Sequence, residues 1–291
     1  MILSPIEQQI KSKIEKIGIP LKDWDVQINY GIKTGYNDAF IISGSKKDEI
    51  LANCKTEEER KKTAEIIRPL LRGRDIKRYS YEFADLYLLF IPWHFPLHED
   101  TTIKGASLKA EKEFEKQYPA VYNHLLKYKD RLCKRNKAET GIRYEWYALQ
   151  RWGANYWEDF YKQKIVWKRV GSKIRFSFDE NHLFALDSTC FATGKFMKFL
   201  VAFLNSSIGN YMLKDSPKTG TGDLLISVQA ISPLLIPKPK SETLKKIEKL
   251  IENIISLNKK DFFKEEEKID NILNEIYNFT EEEINYIKDK L

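Results

Sequence analysis

The sequence predicts a mixed α/β (α+β) fold, with a β-rich body, inserted helices and a C-terminal helical region of hairpin or coiled-coil type. Three observations support this prediction. Short apolar or alternating runs typical of strands recur through the first 240 residues. Segments with helical periodicity lie between them. After Pro237 and Pro239 the apolar residues change to a heptad-like spacing, which is typical of paired helices.

These changes divide the chain into three predicted parts. Residues 1–20 form an N-terminal linker helix, residues 21–240 form the main domain, and residues 241–291 form a C-terminal helical spacer or docking region. The 42% hydrophobic content of the 291 residues excludes general disorder. No apolar run reaches the roughly 18 residues of a membrane span. We therefore expect a cytoplasmic protein without a membrane partner.

The N-terminal elements are predicted from caps and periodicity. Residues 4–17 are expected to form a helix, with Ser4 as its cap and Pro5 in its first turn. VQINY (26–30) and DAFIIS (38–43) are expected to be strands on either side of the segment GIKTG. Gly31 and Gly35 would then permit a sharp turn from one strand to the next.

The middle of the chain carries further helix and strand signals. Thr56 and Glu59 form a capping-box pattern, and ADLYLLFI (84–91) is a buried-strand pattern. Residues 106–135 are expected to form two helices, divided at Pro119.

The last third of the main domain is predicted to contain a hairpin and a long helix. KIVWKRV and KIRFSF flank Gly171-Ser172, which is a hairpin signal. Residues 195–213 are expected to form one helix. In the C-terminal region the heptad-like positions are Ile247, Leu250, Ile254 and Leu257.

Positive charge is concentrated in the middle of the chain. The net charge is +7, but residues 121–175 contain 14 Lys/Arg against 5 Asp/Glu, and residues 241–291 contain 9 against 13. This asymmetry favours a polyanionic partner for the middle of the chain. A solvated surface is the structural alternative.

No catalytic motif is found. GIKTG lacks the spacing of a phosphate-binding loop. His94 and His98 have ligand spacing, but Pro96 between them disfavours a helical metal site. Asp179, Glu180 and Asp187 keep a metal-dependent nuclease open as an alternative, without the carboxylate and lysine arrangement of such enzymes.

Two stretches combine basic residues with glycine or aromatic residues. RPLLRGRDIKRY (68–79) carries clustered arginines, whose guanidinium groups match phosphates and base edges. RYEWYALQRWGANYW (143–157) interleaves arginines with aromatic rings that could stack on bases. The structural alternatives are an Arg74–Asp75 network for the first stretch and core packing of the rings for the second.

Several motifs, taken in order, resemble one known family. They are LKDWDVQINYGIKTGYNDAFII, IIRPLLRGRDIKRY, FLVAFLNSSIGNYML, LLISVQAISPLLIPKP and EEEKIDNILNEIYNFTEEEINYI. The chain resembles the TaqI-like C-terminal specificity domain, which is the target recognition domain of type IIG restriction-modification enzymes and related adenine-specific DNA methyltransferases.

The resemblance implies that residues 21–240 form a recognition domain for a short sequence in double-stranded DNA. It implies a methyltransferase domain or subunit as partner, using S-adenosylmethionine, with Mg²⁺ in addition if the parent enzyme also cuts DNA. The chain departs from the complete enzymes because it has no Asn/Asp-Pro-Pro-Tyr/Phe motif and no glycine loop for the methyl donor. We therefore expect no catalytic residues and no cofactor in this chain.

Expected DNA contacts combine this resemblance with charge and loop position. They are Lys33, Tyr36, Arg72, Arg74, Lys77, Arg78, Arg143, Arg151, Lys168, Arg169, Arg175, Lys218, Thr219 and Thr221. Three alternatives remain open at this point. They are a type I-like specificity half-subunit that docks a separate methyltransferase, a cryptic endonuclease and an RNA-binding module.

Overall fold

The computed structural model describes residues 3–256 and 262–291. The α-helices of these ranges are α1 (Pro5–Ile17), α2 (Asn37–Phe40), α3 (Gly44–Ala52), α4 (Glu57–Ile66), α5 (Leu108–Gln117), α6 (Pro119–Leu126), α7 (Lys129–Lys134), α8 (Met197–Asn205), α9 (Ser207–Leu213), α10 (Val228–Ile231), α11 (Ser241–Ser256), α12 (Phe263–Tyr277) and α13 (Glu281–Asp289). The strands are β1 (Ile19–Pro20), β2 (Val26–Tyr30), β3 (Ile41–Ser43), β4 (Ile67–Leu71), β5 (Leu86–Leu89), β6 (Lys164–Lys168), β7 (Val170–Gly171), β8 (Phe176–Asp179), β9 (Phe184–Ala185), β10 (Thr189–Gly194), β11 (Leu224–Leu225) and β12 (Leu235–Ile236). Short 3₁₀ helices span Leu21–Asp23, Gly73–Asp75 and Trp157–Tyr161. The predicted α+β fold is confirmed.

Two four-stranded sheets organise the body. Sheet 1 is antiparallel with the order β2-β10-β6-β8, and sheet 2 has the order β3-β5-β4-β9. In sheet 2 the β4–β9 pair is parallel and the other pairs are antiparallel. Strands from distant parts of the sequence therefore lie side by side in both sheets.

Sheet 1 is covered on both faces. Ile165 and Trp167 of β6 belong to a core shared with α8 and the terminal helices. Val166 of β6 and Phe191 of β10 belong to a second core, shared with sheet 2 and helices α5 and α6. Since side chains alternate between the faces of a strand, the centres of β6 and β10 carry consecutive buried apolar residues, 165–167 and 190–192.

The C-terminal helices pack on the body. Ile247, Ile254 and Leu273 lie in the same core as Ile10 and Ile14 of α1. The ammonium group of Lys13 lies 2.6 Å from the carboxylate of Glu283 and links α1 to α13.

Two details complete the description of the C-terminal region. Leu250 is half-buried against the core, and Leu257 lies outside the described residues. Among the helices in the described ranges, none is long and apolar enough to cross a membrane.

The segment after β2 differs from its prediction. Residues 37–40 form the helical turn α2, and the following strand begins at Ile41. That strand belongs to sheet 2 whereas β2 belongs to sheet 1, so residues 31–36 connect two sheets and do not close a hairpin. Ala39 and Phe40 are both fully buried, and a helical turn places these consecutive side chains in the core.

The predicted helix over residues 195–213 is divided in two. Helix α8 ends at Asn205, and Ser206 starts α9 by accepting a hydrogen bond from the Gly209 amide at 3.1 Å. A Cβ on Gly209 would lie 2.0 Å from the Phe203 carbonyl oxygen, so glycine permits the close approach of the two helices.

The remaining predictions for the middle of the chain are largely confirmed. Residues 106–135 form three helices, α5 to α7, with Pro119 opening the second as expected. The predicted hairpin is present, because β6 pairs with β8 from Lys164–Asp179 to Trp167–Phe176. The connecting loop, residues 169–175, is longer than a tight turn.

Gly31 provides a stability test of the connection between the sheets. A Cβ at Gly31 would lie 2.0 Å from the Leu186 carbonyl oxygen, a backbone atom that cannot easily move. We expect Gly31→Ala to destabilise the fold by about 3 kcal/mol, which lowers the midpoint of thermal unfolding by roughly 5–10 °C. Gly220→Ala is the control, since a Cβ there meets no atom within 4 Å. Equal unfolding midpoints for the two variants would contradict this account.

Candidate nucleic-acid interface

An open groove runs over the surface at the ends of β4 and β6. Its first section is lined by Asn37, Arg72, Arg74, Lys168 and Ser188, among others. The second section shares Gly73, Arg74 and Lys168 with the first and adds residues 76, 171–173 and 175. The third section shares residues 172, 173 and 175 with the second and extends to α9 and α13. The three sections therefore form one continuous surface.

We call this surface the basic groove, because positive charge dominates its lining. Its cationic residues are Arg72, Arg74, Arg78, Lys168, Lys173, Arg175, Lys214, Lys218 and Lys290. Among the described residues of the lining, Asp38 provides the one carboxylate side chain. Like charges gathered in a concave surface create a strong local potential for anions.

An ion pair between the half-buried Arg72 and the buried Asp75 shapes the loop at the first section. The guanidinium of Arg72 donates two hydrogen bonds to Asp75, at 2.9 and 2.8 Å, and the Arg72 amide donates a third at 2.9 Å. Burial raises the pKa of Asp75, but the hydrogen bonds from Arg72 outweigh it and the pKa lies below its ordinary value. The network considered for Arg74 therefore belongs to Arg72, and Arg74 is exposed in the groove.

The second and third sections are joined by paired backbone segments. Strand β7, in the loop 169–175, pairs with β11, and the Leu225 amide donates to the Pro217 carbonyl at 2.7 Å. This pairing fixes the hairpin of residues 217–225 beside Lys173 and Arg175. Thr219 and Thr221 lie at its tip with their hydroxyl oxygens 2.8 Å apart.

Arg78 lies between the groove and the C-terminal helices. A guanidinium nitrogen of Arg78, Nη2, is 2.6 Å from Oε1 of Glu266 on α12, and the same nitrogen donates to the carbonyl oxygen of Asn205. Asn205 is fully buried and exchanges hydrogen bonds of 3.0 and 2.8 Å with the backbone of Phe176. A single nitrogen of Arg78 thus links the carboxylate of Glu266 on α12 to the backbone of Asn205 at the end of α8.

Three predicted contact residues, Lys33, Tyr36 and Arg151, lie near the connection between the sheets. Lys33 and Arg151 exchange backbone hydrogen bonds of 3.0 and 2.9 Å. Tyr36 is half-buried, with its ring 6.1 Å from that of Tyr128, and burial raises the pKa of its hydroxyl. Their roles in DNA binding stay predictions.

Three more predicted residues have partners outside the groove lining. Lys77 lies 3.3 Å from Glu82, and Arg143 lies 2.7 Å from Glu139. The Arg169 guanidinium lies over the Tyr30 ring, with 5.9 Å between the guanidinium carbon and the ring centroid. Six residues of the predicted set do line the basic groove. They are Arg72, Arg74, Arg78, Lys168, Arg175 and Lys218.

Sequence reasoning missed three cations of the groove and one residue that supports it. Lys173 could have been included, since it lies in the same loop as Arg175. Lys214 and Lys290 reach the groove through the packing of α9 against α13, for which the sequence has no local signal. Arg135 donates to the carbonyl oxygens of Thr34, Trp146 and Ala148, and thereby fixes the connection that leads to Asn37.

Asp179, one of the acidic residues considered for a nuclease, belongs to a buried structural network. Asp179 is fully buried, lies 2.7 Å from the ammonium of Lys164, and accepts hydrogen bonds from the Asn181 and Leu183 amides. His94 is paired with Glu145 at 2.9 Å. Within residues 3–256 and 262–291, no three acidic, histidine or cysteine side chains converge as metal ligands.

A model of a known protein family matches the region that contains the basic groove. The family model of the TaqI-like C-terminal specificity domain matches residues 68–225, which include every groove cation except Lys290. The type II methyltransferase M.MjaIV of Methanocaldococcus jannaschii is 26% identical over 255 residues, covering 85% of this chain and 77% of that protein.

A solved structure of a restriction-modification enzyme shares the fold. The type IIL restriction-modification enzyme MmeI, solved in complex with DNA, matches 94% of this chain and 36% of its own, at 13% identity and a TM-score of 0.55. The type IIG restriction endonuclease BpuSI matches 94% of this chain and 32% of its own, at 12% identity and a TM-score of 0.43. This chain thus spans about a third of the length of these two enzymes.

Proposed function

Because the chain belongs to the family of TaqI-like C-terminal specificity domains of restriction-modification systems, we propose that it binds a short sequence of double-stranded DNA in the basic groove. The groove cations neutralise phosphates and fix the position of the duplex. Base edges are then read by polar residues beside the groove, including the hairpin 217–225 with Thr219 and Thr221.

One observation carries this proposal. Basic residues from four separate parts of the chain (72–78, 168–175, 214–218 and 290) line one continuous surface that has a single carboxylate side chain among its described residues. A protein gains no stability from gathering like charges, since they repel one another. A polyanion bound in the groove offsets that repulsion, and duplex DNA is the polyanion that fits a specificity domain.

The chemistry belongs, in this proposal, to a methyltransferase domain or subunit that uses S-adenosylmethionine. The methyltransferase named among the relatives supports such a partner. We further propose that residues 21–240 recognise the DNA, that residues 1–20 serve as a linker, and that residues 241–291 contribute to docking that partner.

The proposal is tested by the binding of fluorescently labelled random duplex DNA to the purified chain between 50 and 200 mM salt. The logarithm of the binding constant should fall linearly with the logarithm of the salt concentration, with a slope of about −5 if six phosphates are neutralised. No binding at 50 mM salt, or binding that does not depend on salt, would overturn it.

Two further measurements use the same samples. Random duplex RNA of the same length should displace the labelled DNA poorly. Displacement by RNA at lower concentrations than by unlabelled DNA would favour an RNA-binding module. Selection of bound duplexes from a random pool should yield a defined sequence.

A further inference from the structure

Arg78 occupies the point where the basic groove meets helix α12. It lines the groove together with Lys173, Arg175 and Lys218. Its side chain is 37% exposed, so a phosphate can reach it from the groove. On the other side it pairs with Glu266, whose side chain is only 15% exposed. Like Arg72, which pairs with Asp75, Arg78 is therefore a groove cation that a carboxylate of the protein already neutralises.

A phosphate that binds Arg78 competes with this carboxylate. Glu266 occupies Nη2 of the guanidinium and neutralises its charge, so the attraction of Arg78 for a phosphate is weaker while this ion pair is closed. Loss of the contact with Arg78 would leave Glu266, which is mostly buried, without its cation, and this is costly. Glu266 therefore opposes DNA binding at this position.

We propose that Glu266 is an internal competitor of the DNA backbone, which restrains binding to non-specific duplex by occupying Arg78. This inference rests on the proposed function of the groove. A duplex displaces Glu266 where its phosphates are fixed opposite Arg78 by additional contacts. A duplex held by mobile, non-specific contacts leaves the ion pair closed.

The surroundings allow this exchange without movement of either element. Arg78 also donates to the Asn205 carbonyl, so its guanidinium stays at the groove when the carboxylate releases it. Helix α12 has separate anchors, because Asp270 accepts hydrogen bonds of 2.9 and 2.6 Å from Ser207. Phe262, just before α12, packs against Tyr79 with 5.2 Å between the ring centroids.

The test compares Glu266→Gln with Glu267→Gln in the full chain. Both changes remove one negative charge from α12, but Glu267 is exposed, so general electrostatic effects are matched. We expect Glu266→Gln to bind random duplex DNA roughly tenfold more tightly at 0.1 M salt, with a salt slope steeper by about 0.9. Glu267→Gln should change neither quantity appreciably. The gain should vanish in the double variant Glu266→Gln/Arg78→Gln.

The outcomes separate this inference from the proposed function. Equal affinities and slopes for the two glutamine variants would overturn the inference while leaving the function intact. If no version of the chain binds duplex DNA, the proposed function fails and the inference with it. If Glu266→Gln does not fold, Glu266→Asp replaces it, because its shorter carboxylate withdraws from Arg78. Affinity no higher than that of Glu267→Asp would then overturn the inference.

Discussion

Replacing Arg74, Lys168 and Lys173 together with glutamate is expected to lower the affinity for duplex DNA by at least about 100-fold at 0.1 M salt. These residues lie side by side in the first two sections of the basic groove. Each lost phosphate contact should also reduce the salt slope by about 0.9, so the total reduction should lie between about two and three. The measurement is the anisotropy of a labelled duplex across a salt series.

A matched control separates groove charge from net charge. The variant Lys61→Glu/Lys109→Glu/Lys249→Glu changes the net charge by the same amount at exposed positions outside the groove lining. It should retain most of the affinity and the slope. Similar losses for both triple variants would mean that the overall charge governs binding, and the groove would lose its assigned role. Thermal unfolding of both variants checks that the fold is intact.

Removing Asp179 is expected to cause the largest loss of stability. Its carboxylate and the ammonium of Lys164 are both fully buried and lie 2.7 Å apart. Asp179→Ala would leave a buried, unpaired lysine and two backbone amides without their acceptor. Breaking one side of such a pair costs about 3–5 kcal/mol. Chemical denaturation of the variant measures this loss of unfolding free energy.

The double variant Lys164→Met/Asp179→Leu tests the cause of that loss. It removes both charges and fills the space with apolar groups, so it should be markedly more stable than Asp179→Ala. A double variant that is as unstable as the single one would show that the ion pair is not the source. A normally folded Asp179→Ala protein that lost a Mg²⁺-dependent cleavage of plasmid DNA would instead revive the nuclease alternative.

Local signals predicted the elements that depend on neighbouring residues. Helix α1 follows from the Ser4 cap and the isoleucine stripe, and its capping box is present. The β6–β8 hairpin follows from two apolar runs around a glycine. The connection after β2 could not be predicted in this way. It depends on contacts between Gly31 and residues 185–186, which are far away in sequence.

The sequence indicated the segments that line the basic groove better than it indicated the single residues within them. Composition identified the stretches 68–79 and 143–175 as basic, but it could not say which arginine would pair with Asp75. That choice depends on the loop conformation, which directs Arg72 inward and Arg74 outward. Composition also could not separate stacking rings from packing rings. Tyr144, Trp146 and Tyr147 are buried in the core, which agrees with the core-packing alternative.

The coverage of sheet 1 on both faces has a consequence for how such a domain can diversify. With both faces buried, the sheet offers no open face to a ligand, and the groove is lined by strand ends such as Lys168 and by the loops beyond them. If the groove binds DNA as proposed, mutations in the loops 169–175 and 217–225 alter the binding preference while the packed interior stays unchanged. Selection on stability and selection on the target sequence act on different residues, and a new preference can arise without compensating changes in the core.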